Sequence, residues 1–206
     1  MSVLRLYSDT DLTTQITKDA DFTNPDTETS LDGTAGETAT EALWIAIDQT
    51  TLAAAITSVS ATTITLTAAR FPDTDYSVII IDSEKMLITA GHGTTSLTVT
   101  RGYNDTTAAT HLIAAAVRSA YDCTSVTIDC VDDTGTDESG WVTFCDDDGE
   151  GSPDGSYAAP HTPDDGIITY DESKAIWRRI VVPALTAATY KQDLILRISA
   201  TINETI

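Results

Sequence analysis

Short stretches in which apolar and polar residues alternate recur down this chain, and clusters of Gly, Asp, Asn and Pro separate them. Thr62-Thr63-Ile64-Thr65-Leu66-Thr67 has the period of two that puts one face of a strand in a core and the other in water. Ser77-Val78-Ile79-Ile80-Ile81 and Lys85-Met86-Leu87-Ile88 flank a short turn at Asp82-Ser83, and Ser96-Leu97-Thr98-Val99-Thr100 follows a Gly91-His92-Gly93 turn. Further on, Val126, Ile128 and Cys130 share one face, with Thr127, Asp129 and Val131 on the other. Near the end, Leu194, Leu196, Ile198, Ala200 and Ile202 line one face while Arg197, Ser199 and Thr201 point away. Residues 52–59 could make a helical turn or two, but no segment sustains a 3.6-residue apolar period. The pattern predicts an all-β protein.

These runs divide into two sets. Residues 51–120 are rich in Thr and Ala and hold a full complement of short hairpin-like runs. Strands of a different character flank them: 43–47, after a long acidic loop at 24–41, then 126–131, 141–145, 176–182 and 194–202. The economical organisation is a small β-barrel-like domain (51–120) inserted into a loop of a discontinuous Ig-like β-sandwich (1–50 and 121–206). "Ig-like" describes architecture alone, because the Cys–Trp–Cys spacing of antibody domains is missing.

Composition sharpens this. With 206 residues and 41% apolar types the chain can pack a core without disulfides or metals, and aromatics at 6% predict cores of Val, Ile, Leu and Ala. No segment approaches the roughly 18–20 apolar residues that span a bilayer. The start, Leu4-Arg5-Leu6-Tyr7, lacks the apolar core of a signal peptide, so a soluble protein made inside the cell is expected. Lys+Arg 11 against Asp+Glu 32 gives a formal charge of −21 and a pI near 4.1. Such a surface repels phosphate backbones and anionic lipids, which argues against nucleic acid and membranes as partners. It serves either to keep an abundant protein solvated or as an adaptation to high salt, where screening relieves self-repulsion.

Cys123, Cys130 and Cys145 lie in one stretch, an odd number that reads first as buried free thiols, with a Cys130–Cys145 bridge between neighbouring strands as the alternative. Cys123 and Cys130 are an odd offset apart, so on one regular strand they face opposite ways. No CxxC pair supplies a structural zinc site.

Within 51–120 the order of motifs is specific. Arg70-Phe71-Pro72 leads to the strand 76–81 and then to Asp82-Ser83-Glu84-Lys85-Met86. Leu97-Thr98-Val99-Thr100-Arg101-Gly102 and Thr107-Ala108-Ala109-Thr110-His111 follow, with Val117 closing. This resembles a module of tailed-phage virion proteins, with Ala114-Ala115-Ala116 where a glycine usually precedes the closing valine, so a different final turn is expected. More weakly, Trp177-Arg178-Arg179-Ile180-Val181-Val182-Pro183, a polar bend and Leu194-Ile195-Leu196-Arg197-Ile198 resemble the closing strands of tail and baseplate sandwich domains. The resemblance implies a non-enzymatic virion structural protein, made in the host cytoplasm, whose partners are other virion proteins and copies of itself as a homo-oligomer. A tail or baseplate position comes first and a capsid decoration or head–tail junction second. A carbohydrate- or receptor-binding module is the rival class.

The motif residues also have a physical reading of their own. Glu84 and Arg101 sit beside apolar strand residues, so a Glu–Arg pair can clamp two hairpins while His111 caps a turn, and Gly102 is expected to adopt a backbone conformation closed to other residues. A catalytic Glu84–Arg101–His111 cluster is the alternative, but no activated nucleophile accompanies it, and no catalytic residue is assigned. No cofactor is expected. The one metal candidate is calcium on Asp146, Asp147, Asp148 and Asp154, an Asp-rich Gly turn without the Glu spacing of an EF-hand loop; the bland reading is a solvated hairpin tip. Asp132, Asp133, Asp137 and Glu138 sit at the opposite end of the intervening strand, which argues against a shared ion. His92 and His161 read as exposed loop residues. Trp177, Arg178 and Arg179 form the candidate interface, a basic pair beside an aromatic against an acidic background, open to a cation–π contact, to docking on a neighbouring copy, or to protecting a strand edge.

Overall fold

The alternating runs become antiparallel strands. The computed structural model describes residues 3–16, 31–132, 138–187 and 194–205, and these form an all-β, sandwich-type fold. One sheet runs in the order β1 (Leu4–Tyr7), β2 (Glu37–Ile47), β11 (Ser173–Val182), β10 (Val142–Asp146). Facing it, β9 (Tyr121–Asp132) pairs with β12 (Leu194–Glu204). Between them lies a core that includes Leu6, Leu43, Ile45, Val126, Ile128, Phe144 and Ile176.

Residues 49–119 make a sheet of their own, in the order β3 (Gln49–Thr51), β8 (Ala116–Ser119), β5 (Val78–Ile81), β6 (Glu84–Ala90), β7 (Ser96–Thr100), β4 (Thr63–Thr65). It curls into a half-barrel whose ends meet where Leu52 bridges Leu66 and the Thr67 N–H donates to the Thr51 carbonyl. Residues 52–59 hold isolated bridges at Leu52 and Ile56, a bend and the start of a turn rather than a helix. All of β5 is buried because its faces serve two cores: Ile79 and Ile81 fill the half-barrel, while Val78 and Ile80 join the sandwich core. This explains why Val78-Ile79-Ile80-Ile81 shows no alternation.

The chain crosses between the sheets at Asp48 and Ala120. The Ser119 N–H donates to the Asp48 carbonyl (3.0 Å), so the two crossing points lie side by side. The buried Asp48 carboxylate accepts the Phe71 N–H (3.1 Å) and has the Arg5 and Arg70 guanidinium groups at 3.7 and 3.9 Å. Arg70 also lies over the Tyr7 ring, 5.9 Å from its centroid. Burial, then the Asp48 charge, push the Tyr7 phenol up to about 12.

Several sequence expectations need correcting. β2 begins at Glu37, inside the expected acidic loop, whose residues 24–30 lie outside the described residues. Trp141 closes a single 3-10 turn (Ser139–Trp141) rather than opening a strand. Cys123 and Cys130 do not face opposite ways, for both are buried in the sandwich core. The cause is a bulge: Ser199 pairs Thr127 and Thr201 pairs Thr124, so β9 carries an extra residue, and Ser125 takes a left-handed conformation (φ 54°) that flips the alternation. All three cysteines are free, so Cys130 and Cys145 are not bridged, and burial pushes the Cys123 and Cys130 thiols up to about 12.

The final turn of the half-barrel keeps a glycine-like shape without a glycine. Ala114 sits at φ 65°, and the Ala115 N–H closes the turn onto the Leu112 carbonyl (3.2 Å). A Cβ is strained there. We therefore expect Ala114→Gly to raise unfolding stability by about 0.5–1 kcal/mol, the relief of strain exceeding the entropy cost of glycine, as read from denaturant titration. Thiol reagents should find no reactive cysteine in the native chain and three after denaturation.

Candidate functional site

The hairpin β5–β6 turns at Asp82-Ser83, with Asp82 in the left-handed region (φ 53°) that aspartate tolerates. The turn delivers Glu84 into the half-barrel with its side chain fully buried. A buried carboxylate needs donors for its lone pairs, and every one comes from a segment distant in sequence. Oε1 accepts from Arg101 Nε (2.7 Å) and the Gly102 N–H (3.0 Å). Oε2 accepts from Arg101 Nη2 (2.7 Å) and the Ala109 N–H (2.9 Å), and lies 2.8 Å from His111 Nε2.

Arg101 is equally occupied. Its planar fork grips the carboxylate bidentately, and the remaining N–H groups reach the carbonyls of Ser58 and Ala61 (both 3.2 Å) and of Ala109. Gly102 can present its N–H to Glu84 only at φ 60°, where an added Cβ would meet the Thr106 carbonyl at 2.9 Å. His111 does more than cap a turn. Its buried ring stands between Glu84 and Asp82 (Nδ1 to Oδ2, 2.7 Å), while its main chain exchanges hydrogen bonds with Ile56. Sequence reasoning missed Asp82 as a member; its place two residues before Glu84, across the turn from it, was the available signal. Burial, the largest influence on Glu84, raises its pKa, but Arg101, the Ala109 N–H, His111 and the Gly102 N–H outweigh it and hold the group near about 2, below the ordinary 4.5.

The other sequence candidates are separate. Arg178 is buried and pairs with Glu41; Arg179 stacks on Tyr157, 3.8 Å from the ring centroid, and donates to Thr143 Oγ1. Trp177 Nε1 donates to Asp147 Oδ2 (3.0 Å). The cation–π contact thus forms on Tyr157 rather than Trp177, and these side chains tie β11 to its neighbours β2 and β10 and to the 147–157 loop. In that loop the carboxylates accept backbone N–H groups: Asp147 from Gly149 and Gly151, Asp148 from Glu150 and Ser152, Asp154 from Ser156. Asp146 turns the other way, to the Asp164 N–H and His161 Nε2. Among the described residues no group of three or more His, Cys, Asp or Glu side chains is placed to hold a metal ion. Of the suggested companion loop, Asp133 and Asp137 lie outside the described residues, while the Asp132 carboxylate accepts the Ser139 N–H (3.0 Å). His161 is buried rather than exposed, its main chain bridging Ile128. His92 is half-buried, its Nε2 3.0 Å from Ser77 Oγ.

No family model, curated protein or solved structure matches this chain.

Arg101→Ala leaves a buried carboxylate uncompensated and should lower unfolding stability by about 3–5 kcal/mol, read by chemical denaturation. Because the folded pKa of Glu84 lies below its unfolded value, its contribution is complete above pH 4.5 and is lost as pH falls toward about 2. Melting temperatures of Glu84→Gln and the parent chain should converge through that window and differ most at neutral pH.

Proposed function

We propose that this chain is a structural protein of a tailed-virus particle, placed in the tail or baseplate and working by assembly with copies of itself and other virion proteins. The observation that carries the reading is the closure of the Glu84 cluster. The residues that bear the resemblance to virion modules, Glu84, Arg101, Gly102 and His111, converge on one buried carboxylate whose acceptor sites are all engaged. A group so held near about 2 has no proton to give and no open lone pair with which to take one at neutral pH, so the cluster serves rigidity rather than catalysis. Rigid β modules act through the area they bury against neighbours. The charge of −21 favours protein partners over nucleic acid and suits dense local packing only where contacts are neutral or complementary.

Capsid decoration and head–tail junction share the same physics at another position in the particle. A sugar-binding module would look to the 146–154 loop for a calcium-bridged site, and there the carboxylates instead brace their own turn. Tailed particles whose genome encodes this chain provide the test. Mass spectrometry of purified particles should find it at a fixed copy ratio, and antibody labelling should decorate the tail. Labelling of the head would shift its position within the particle, and absence from particles would overturn the proposal.

A further inference from the structure

Every sheet ends in two rows of unpaired N–H and C=O groups, and proteins blunt them by shortening, covering or charging the edge strand. This chain does so at nearly every edge. Gln15 bridges Tyr7 on the outer side of β1, and Ala158 and Pro153 bridge the run of β10. The end strands of the half-barrel, β3 and β4, are three residues each, and the Leu52–Leu66 bridge joins their ends. Ile168 and His161 cover the free side of β9. The exception is β12, eleven residues with no strand or bridge on its outer edge among the described residues.

Nothing in β12 guards that edge. It holds neither proline nor glycine, and the bulge in its ladder adds a residue to β9 and leaves β12 regular. Its two charges are occupied within the chain: Arg197 with Asp129 (3.3 Å), and Glu204 with Lys85 and Asn104. Leu194, Leu196, Ile198, Ala200 and Ile202 pack on the sandwich core yet remain half-buried, with no strand or bridge alongside them among the described residues.

We infer that β12 is a docking edge for a second copy of this chain, the two β12 strands pairing antiparallel about a two-fold axis into a continuous β9–β12–β12–β9 sheet. The inference deepens the assembly reading by naming its surface. Three observations select a second copy as the occupant. The chain carries −21, so most of its faces repel one another, whereas β12 sums to zero, one Arg and one Glu. A two-fold axis perpendicular to the sheet pairs even-numbered residues with even-numbered ones, so the apolar rows of both copies meet in one stripe. Length also suffices: eleven residues extend about 37 Å. That is long enough for a continuous ladder of backbone hydrogen bonds between the two copies.

Light scattering on the full chain should find a dimer that tightens as salt screens the remaining charge. Arg197→Cys, Ser199→Cys and Thr201→Cys, made singly on the outward face, should include at least one that forms a covalent dimer under mild oxidation, while Thr98→Cys on β7 should not. Ser199→Lys with Thr201→Lys places like charges opposite one another and should weaken association about tenfold or more. It does so while lowering the net charge to −19 (−21 + 2), so general repulsion cannot explain the loss. An unchanged far-UV circular dichroism spectrum of these variants shows that the fold is intact. A chain that stays monomeric at high concentration in molar salt overturns the inference. An oligomer in which none of the β12 cysteines bridges also overturns it, and leaves the assembly reading standing.

Discussion

A carboxylate taken out of water must find donors or be protonated, and at Glu84 that requirement organises one end of the half-barrel. The donors come from the segment after β7 and from the 107–111 stretch, while the carbonyls at Ser58 and Ala61 accept from Arg101 and hold its fork in place. These segments lie outside the strands, and the 107–111 stretch has a backbone bridge only at His111, to Ile56. Each is positioned because its polar groups complete a charge that the core cannot otherwise accommodate. The Thr- and Ala-rich loops can therefore be short of bulky apolar residues and still be fixed.

A second buried carboxylate plays a related part between the sheets. Asp48 lies where the chain leaves the sandwich, and the groups around it come from β1, from the Arg70-Phe71 corner and from the end of β8. The junction thus combines charge with the apolar contacts of Val78, Ile80 and Tyr121, whose phenol oxygen accepts the Val78 N–H and whose ring meets Tyr76 edge-on. Polar groups here set orientation, while the shared core supplies the area.

Much of this was legible in the sequence because strand alternation is local. The β5–β6 hairpin, the alternating face of β12 and the candidacy of Glu84, Arg101 and His111 all follow from period and order. What escaped was set by long-range pairing. β1 is buried on every residue, so Leu4-Arg5-Leu6-Tyr7 shows no period at all. The Ser125 bulge breaks the parity rule from which the cysteine faces were inferred, and no residue type at that position announces it. Asp82 joins the cluster only because the turn folds it back beside His111. Arg178 and Arg179, a basic pair in an acidic chain, suggested an outward role, but Arg178 serves as a counterion to Glu41 and Arg179 lies on the Tyr157 ring, so both are held by neighbouring side chains. His161 seemed a loop residue because the ladder that buries it lies across the sandwich, on Ile128.

The side-by-side crossing at Asp48 and Ser119 has a mechanical consequence. Tension passed from Asp48 to Tyr121 meets a junction that holds this carbonyl-to-amide link together with the Ala120 N–H on the Val78 carbonyl and the Arg5 and Arg70 groups around Asp48. Should these contacts part, load would reach β3 and β8 at their adjacent ends and open the Gln49–Arg118, Thr50–Val117 and Thr51–Ala116 rungs in turn, as a zip rather than in shear. Because Val78 and Ile80 belong to the sandwich core, pulling the half-barrel further open would strip packing from the sandwich, so the two resist such a load together.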